Sequence, residues 1–161
     1  MKMGFEDNKR IVKVMKNQRV TEFLNDQLCH FRSKFEYNWA LYLDLLKQQR
    51  EILNWQYEPD TFYFREETQG PYQYIPDFKI FTDDGFYYQE CKGYHDGSTN
   101  SKLRRFKRQN PDIEIELVLQ NIPKRKKSKG ANRRRIASKY ARRIIDASVI
   151  FKQLKRMLEF K

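Results

Sequence analysis

The stretch that most constrains the fold is "YIPDFKIFTDDGFYYQECKG", residues 74–93. "FKIFT" and "FYYQECK" are rich in aromatic and apolar residues and flank the turn residues "DDG", which is the pattern of a β-hairpin. Three ionisable residues, Asp77, Glu90 and Lys92, lie on these strands, although strands disfavour Asp, Glu and Lys. Side chains alternate faces along a strand, so Glu90 and Lys92 share one face and Cys91 takes the other. A two-residue turn at Asp83–Asp84 sets Asp77 opposite Glu90. One at Asp84–Gly85, the stronger turn dipeptide, sets it opposite Lys92. Directly opposed residues project on the same face, so either register gathers Asp77, Glu90 and Lys92 there. A three-residue loop without a bulge would send Asp77 to the other face.

The flanking sequence supplies the other layers. Phe35, Trp39, Tyr42, Leu43 and Leu46 recur at helical spacing and predict a helix within residues 31–52. Ser33 followed by Glu36 reads as a capping box at its start. "LNWQYEPDTFYF" reads as extended and is interrupted by Pro59. After the hairpin, a short helix is expected to begin near residues 98–101 and to stop before Asn110 and Pro111. Residues 113–119, "IEIELVL", alternate and predict a strand. Residues 132–161 read as one helix, with Ile136, Tyr140, Ile144, Phe151, Leu154 and Leu158 as its apolar stripe. The order helix, three strands, helix, strand, helix implies an α/β architecture, with a mixed central β-sheet flanked by helices. The expected organisation is an N-terminal extension over 1–30, a core over 31–122, and a basic loop with a C-terminal helical extension over 123–161. The 161 residues suit one domain, and ten Tyr and twelve Phe supply a core.

Composition narrows the partners. No run of eighteen apolar residues is present, so no transmembrane helix is expected. The start "MKMGFEDNKR" lacks an apolar signal region. Cys29 and Cys91 form neither a disulfide framework nor a zinc spacing, which favours a reduced cytoplasmic setting. The net charge is +12, and between residues 124 and 143 there are eleven Lys or Arg and no Asp or Glu. Elsewhere 22 basic residues nearly balance 21 acidic ones. The segment "KRKKSKGANRRRIASKYARR" therefore reads as the footprint of a polyanion. A solvated tail is the bland reading, and a membrane surface is the weaker one, since apolar partners are few before Ile144.

Two carboxylates about 5 Å apart across a strand pair repel unless a cation lies between them. Hard oxygen donors suit Mg²⁺ beside a phosphate. A neighbouring lysine orients a water or offsets phosphate charge. That set is suited to phosphodiester hydrolysis. Pro76–Asp77 followed by "ECK" at 90–92 resembles the PD-(D/E)XK nuclease motif. Together with "YEPDTFYF", "YIPDF" and "ECKG", it is similar to phage endonucleases and Holliday-junction resolvases of that superfamily, and to restriction-type transposase subunits. The likeness covers roughly residues 31–120. It implies a restriction-endonuclease-like core and a Mg²⁺-dependent DNA endonuclease, with Mn²⁺ able to substitute and no small-molecule cofactor. Asp77, Glu90 and the Cys91 main-chain carbonyl would hold the metal, and Lys92 would position or activate the attacking water. Glu36, from "SKFEYNWALYL", would serve a second metal or a bridging water. The implied partner is duplex or branched DNA, met in the cytoplasm of a bacterial or phage-infected cell, and a homodimer would cut two strands.

Several residues carry competing readings. Glu36 is also the capping-box glutamate, and the two roles conflict. Asp77, Glu90 and Lys92 read blandly as a surface salt-bridge ladder. Asp60, Glu66, Glu67, Glu114 and Glu116 lack a lysine two positions on and read as solvated charges. His30 and His95 cannot form a multi-histidine metal cluster; His95 reads as a phosphate contact or as an exposed loop residue. Lys102, Arg104 and Arg105 on the helix after the motif, and Lys124, Arg125, Lys126, Lys127, Lys129, Arg133, Arg134 and Arg135 in the basic segment, are the candidate DNA contacts. Structure-selective cutting is the favoured activity, because no separate sequence-reading module is evident. A sequence-specific restriction-type or transposase-type endonuclease is the enzymatic alternative. A non-catalytic nucleic-acid-binding protein on the same fold, or a small RNA-binding protein, is the alternative of another class.

Overall fold

The computed structural model describes residues 18–64, 72–124 and 128–159. Within them the chain is α/β, with a mixed five-stranded sheet and four helices. Helix α1 (Lys34–Gln48) starts where Ser33 accepts a hydrogen bond from the Glu36 amide. Strand β3 (Asn54–Tyr57) follows, and then the hairpin of β6 (Phe78–Thr82) and β7 (Gly85–Lys92). Strands β4 (Phe62–Tyr63) and β5 (Gln73–Tyr74) make a separate two-stranded ribbon. Helix α2 (Gly97–Gln109) leads to β8 (Ile115–Leu119). Then come α3 (Lys129–Ala137), β9 (Arg143–Asp146) and α4 (Ala147–Glu159).

The sheet order is β3-β6-β7-β8-β9. β3, β6 and β7 run antiparallel, whereas β7, β8 and β9 run parallel. Parallel neighbours need a crossover, and α2 and α3 lie in the two crossovers. Each face has its own core. Trp39 and Leu43 of α1 pack with Phe78, Ile80, Val118 and, from α4, Ala147 and Phe151. Leu103 and Phe106 of α2 pack with Tyr88, Ile115, Leu117 and, from α3, Ala137. The sheet is thus covered on both sides, and all five residues of β8 are buried.

Two expectations change. Residues 132–161 are not one helix: β9 divides them and forms an edge of the main sheet. Ile144 and Ile145 are β-branched and suit a strand. Asp146 then accepts a bond from the Ser148 amide at 3.0 Å, in the manner of a cap for a new helix. The helical spacing of Ile136, Tyr140 and Ile144 is produced by three different elements. Ahead of α1 lies a further hairpin, β1 (Val20–Leu24) and β2 (Gln27–Phe31). Its turn puts Asn25 and Asp26 at φ 51° and 61°, as a mirror-type hairpin turn requires. Cys29 and Phe31 of β2 are buried in the core, so this part of the expected extension packs on the domain. Among the described residues no helix is long and apolar enough to cross a membrane.

Candidate active site

The hairpin uses the first of the two registers. Thr82 pairs with Gly85 and Phe78 with Gln89, and one step further this sets Asp77 opposite Glu90. The pairing of Thr82 with Gly85 places the turn at Asp83–Asp84 and not one residue later, and Gly85, at φ 124°, takes a conformation that an L side chain rarely adopts. Asp77 is 0 % exposed and Glu90 3 %. Lys92 Nζ lies 2.7 Å from Glu90 Oε1. The three predicted residues therefore converge, and they are not a surface ladder: both carboxylates are inside.

Each carboxylate oxygen has a donor. Asp77 Oδ2 accepts the Cys91 amide at 2.7 Å, and Oδ1 accepts Arg32 Nη2 at 2.6 Å. Glu90 Oε2 accepts the Tyr74 hydroxyl at 2.9 Å. Because the Cys91 N–H points to the β6 side, where Asp77 lies, its carbonyl leaves the strand on that side too. Burial pushes the Asp77 carboxyl well above its ordinary range. Glu90 and Glu36 push it further, against Lys92 and Arg32. Burial alone would lower Lys92, but Glu90 and Asp77 outweigh it and hold the ammonium above its ordinary range. Burial and the Glu90 carboxylate likewise raise the Tyr74 phenol, which stays a donor.

Glu36 is committed to the helix start. Oε1 accepts Ser33 Oγ at 3.0 Å, while Oε2 accepts the Arg32 amide at 3.0 Å and Tyr57 Oη at 2.8 Å. Its charge still acts on Asp77, Arg32 and Cys91. Among the described residues no three His, Cys, Asp or Glu side chains are grouped to hold a metal ion. The two carboxylates brought together are thus Asp77 and Glu90, while Glu36 is a capping residue whose charge acts on Asp77.

Arg32 is a residue of this site that the sequence pattern did not single out. It bridges Asp77 and Glu58, each at 2.6 Å. It sits just before the N-cap, where an apolar residue commonly packs against the first turns of a helix; an arginine there was the available signal. Tyr74 and Tyr57 were missed as well, and nothing in their spacing distinguishes them from core aromatics.

The remaining charges separate. Glu116, expected on the surface, is 0 % exposed. It accepts Gln89 Nε2 at 2.9 Å, Arg142 at 2.8 Å and Arg143 at 3.3 Å, on the face of the sheet away from Glu90. An alternating strand in the middle of a sheet has no solvent face, which is why the surface expectation fails. Glu114 pairs with Lys107, and Asp60 with Lys79 and Tyr88. Glu66, Glu67, Arg125, Lys126 and Lys127 lie outside the described residues. Arg105 is 7 % exposed, its guanidinium 5.8 Å from the Phe64 ring, so it faces the core and not a surface phosphate. Arg104, Lys124, Lys129 and Arg135 are exposed, and Lys102, Arg133 and Arg134 half-buried. His30 is exposed, whereas His95 is buried, against the exposed-loop expectation.

The fold and site define an α/β domain with a buried acidic pair and a lysine at the open end of its central hairpin. Comparison with known proteins finds no match: no family model fits the chain, and no curated protein and no solved structure matches it.

Proposed function

We propose that the chain is a metal-dependent DNA endonuclease with a restriction-endonuclease-like core, selecting its substrate by DNA shape. The observation that carries this reading is the buried pair Asp77 and Glu90 with Lys92 on the same face. Burying two carboxylates side by side is costly, and apolar residues of similar size would pack there at less cost. Such an arrangement makes sense as a cation site facing an anionic substrate.

The donors fit a hard divalent cation: two carboxylates and the Cys91 carbonyl, all oxygen. Asp77, Glu90 and that carbonyl would hold Mg²⁺, with Mn²⁺ as a substitute. The bound ion supplies charge for the phosphate oxygens and a more acidic water. The protein's own groups then have definite tasks. Cys91 N–H and Tyr74 Oη orient one oxygen of each carboxylate. Lys92 keeps its proton and so orients the attacking water and offsets developing charge. Arg32, once displaced from Asp77, is a cation free to meet phosphate. The substrate is duplex or branched DNA, and a homodimer would present one such site to each strand.

The Arg32–Asp77 contact favours the second reading, a nucleic-acid-binding domain in which the charges form a static network. Cleavage assays separate the two. Purified protein is offered labelled linear duplex, single strand, flap and four-way junction, with Mg²⁺ or with a chelator. Lys92→Ala and Asp77→Asn should lower metal-dependent cutting on the order of a hundredfold or more while DNA binding persists. Tight binding with no cutting of any substrate would establish the binding domain instead.

A further inference from the structure

A cleft opens one residue beyond Lys92. Its volume is about 320 Å³, and Gly93, His95, Ser128, Lys129, Gly130 and Arg134 are among the residues that line it. It lies at the first turn of α3, where Ser128 Oγ already accepts the Ala131 amide at 3.1 Å. Helix geometry leaves the Lys129 and Gly130 amides without an intrahelical acceptor. Among the described residues no carboxylate pairs with Lys129, Arg133 or Arg134.

His95 supplies an independent sign of a ligand. It is only 8 % exposed, and its buried Nδ1 has no hydrogen-bond partner. The tautomer follows from its neighbours. Asn100 Nδ2 donates to the Arg133 carbonyl at 3.0 Å, which fixes the amide with its oxygen toward the ring. His95 Nε2, 2.7 Å from that oxygen, must then be the donor. Nδ1 of the neutral ring is a bare acceptor, and a buried unpaired acceptor is costly. Burial holds the imidazole below its ordinary pKa. Arg133 and Arg134 on α3 lower it further, against the Asn100 bond on α2 and the Asp96 charge on its own loop. An anion in the cleft would reverse the arginine effect and bring a hydrogen to Nδ1.

We infer that this cleft is a phosphate subsite. The first-turn amides of α3, Lys129 and Arg134 take the phosphate oxygens, and His95 Nδ1 accepts a hydrogen. That hydrogen comes from a monohydrogen phosphate, or from solvent when the phosphate has none. The identification of the phosphate as one carried by a nucleic acid rests on the nuclease reading. The subsite itself does not, since it needs neither metal nor cutting. Two sources share the chemistry: a terminal phosphate monoester and an internal phosphodiester.

The test uses the whole chain without metal, with the imidazole nitrogens followed by NMR as inorganic phosphate is added. The sequence has two histidines, so exposed His30 is the control. Expected is a saturable move of the His95 Nδ1 signal toward its protonated form, with a Kd on the order of 1 mM and His30 unmoved. Arg134→Gln should weaken binding about tenfold. Lys129→Gln, on an exposed side chain, repeats the test if Arg134→Gln does not fold. A His95 signal that stays put, or moves equally in wild type and variants, overturns the inference. Short oligonucleotides with a 5′-phosphate or a 5′-hydroxyl then distinguish the sources: response to both indicates an internal phosphodiester, response to the first alone a terminal monoester. Cutting that survives with no phosphate response sinks the subsite and leaves the nuclease. Phosphate binding without cutting does the reverse.

Discussion

Asp77 occupies an unfavourable electrostatic position, and its cost should be measurable. Its folded pKa is raised above the ordinary 3.8 by burial and by Glu90. The folded state therefore holds a proton that the unfolded state has lost, and stability falls as pH rises above about 4. Asp77→Asn removes that titration. Its melting temperature relative to wild type should become more positive between about pH 4 and pH 8, by roughly 3 °C for each 1 kcal/mol in a chain of this size. If Asp77 and Glu90 hold the proposed ion, Mg²⁺ should raise the wild-type melting temperature and not that of the variant. A difference that is flat with pH would mean that Arg32 and Cys91 N–H fully offset the burial. At this scale the site was half legible. Asp77, Glu90 and Lys92 follow from strand alternation, which is local. Arg32 reaches Asp77 across 45 residues of chain, and no local pattern encodes that contact.

At the scale of elements, the hairpin, α1, α2 and β8 were legible from local signals: a turn between two strands, a helical period behind its cap, the Asn110–Pro111 stop and an alternating strand. β9 was not, because four residues in a helix-compatible stretch give no period of their own. Its assignment to the sheet carries a consequence. If residues 139–161 were an appendage, their removal would leave the core intact. Instead Phe151 packs edge-on to Trp39 at 6.1 Å, and Arg142 and Arg143 compensate buried Glu116. Deleting them should give a chain without a cooperative unfolding transition, because an uncompensated buried charge and one lost core aromatic each cost about 3–5 kcal/mol. Phe151→Ala alone should cost on the order of 3 kcal/mol by chemical denaturation. A value within about 0.5 kcal/mol, the usual range for surface positions, would mean that α4 does not pack as described.

At the scale of the whole molecule, the net charge of +12 overstates what is free to meet the proposed DNA partner. Two of the eleven basic residues between 124 and 143, Arg142 and Arg143, are spent on Glu116, and Arg142 also lies 4.5 Å from the centre of the Tyr87 ring. The sequence shows how many cations a segment has, but not which of them the sheet recruits, because that depends on a carboxylate buried in another strand. The distinction can be read from salt dependence. Each phosphate contact contributes about 0.9 to the slope of log K against log salt. Replacing Arg104, Lys124 and Arg135, all exposed, with Gln should reduce that slope by roughly two to three and leave the melting temperature nearly unchanged. Arg142→Gln should do the opposite: it removes a partner of buried Glu116 and costs on the order of 2 kcal/mol, yet leaves the slope where it was. If Arg142→Gln flattens the slope instead, β9 is part of the DNA surface. The ion pair with Glu116 would then be the resting state of a contact that DNA competes for.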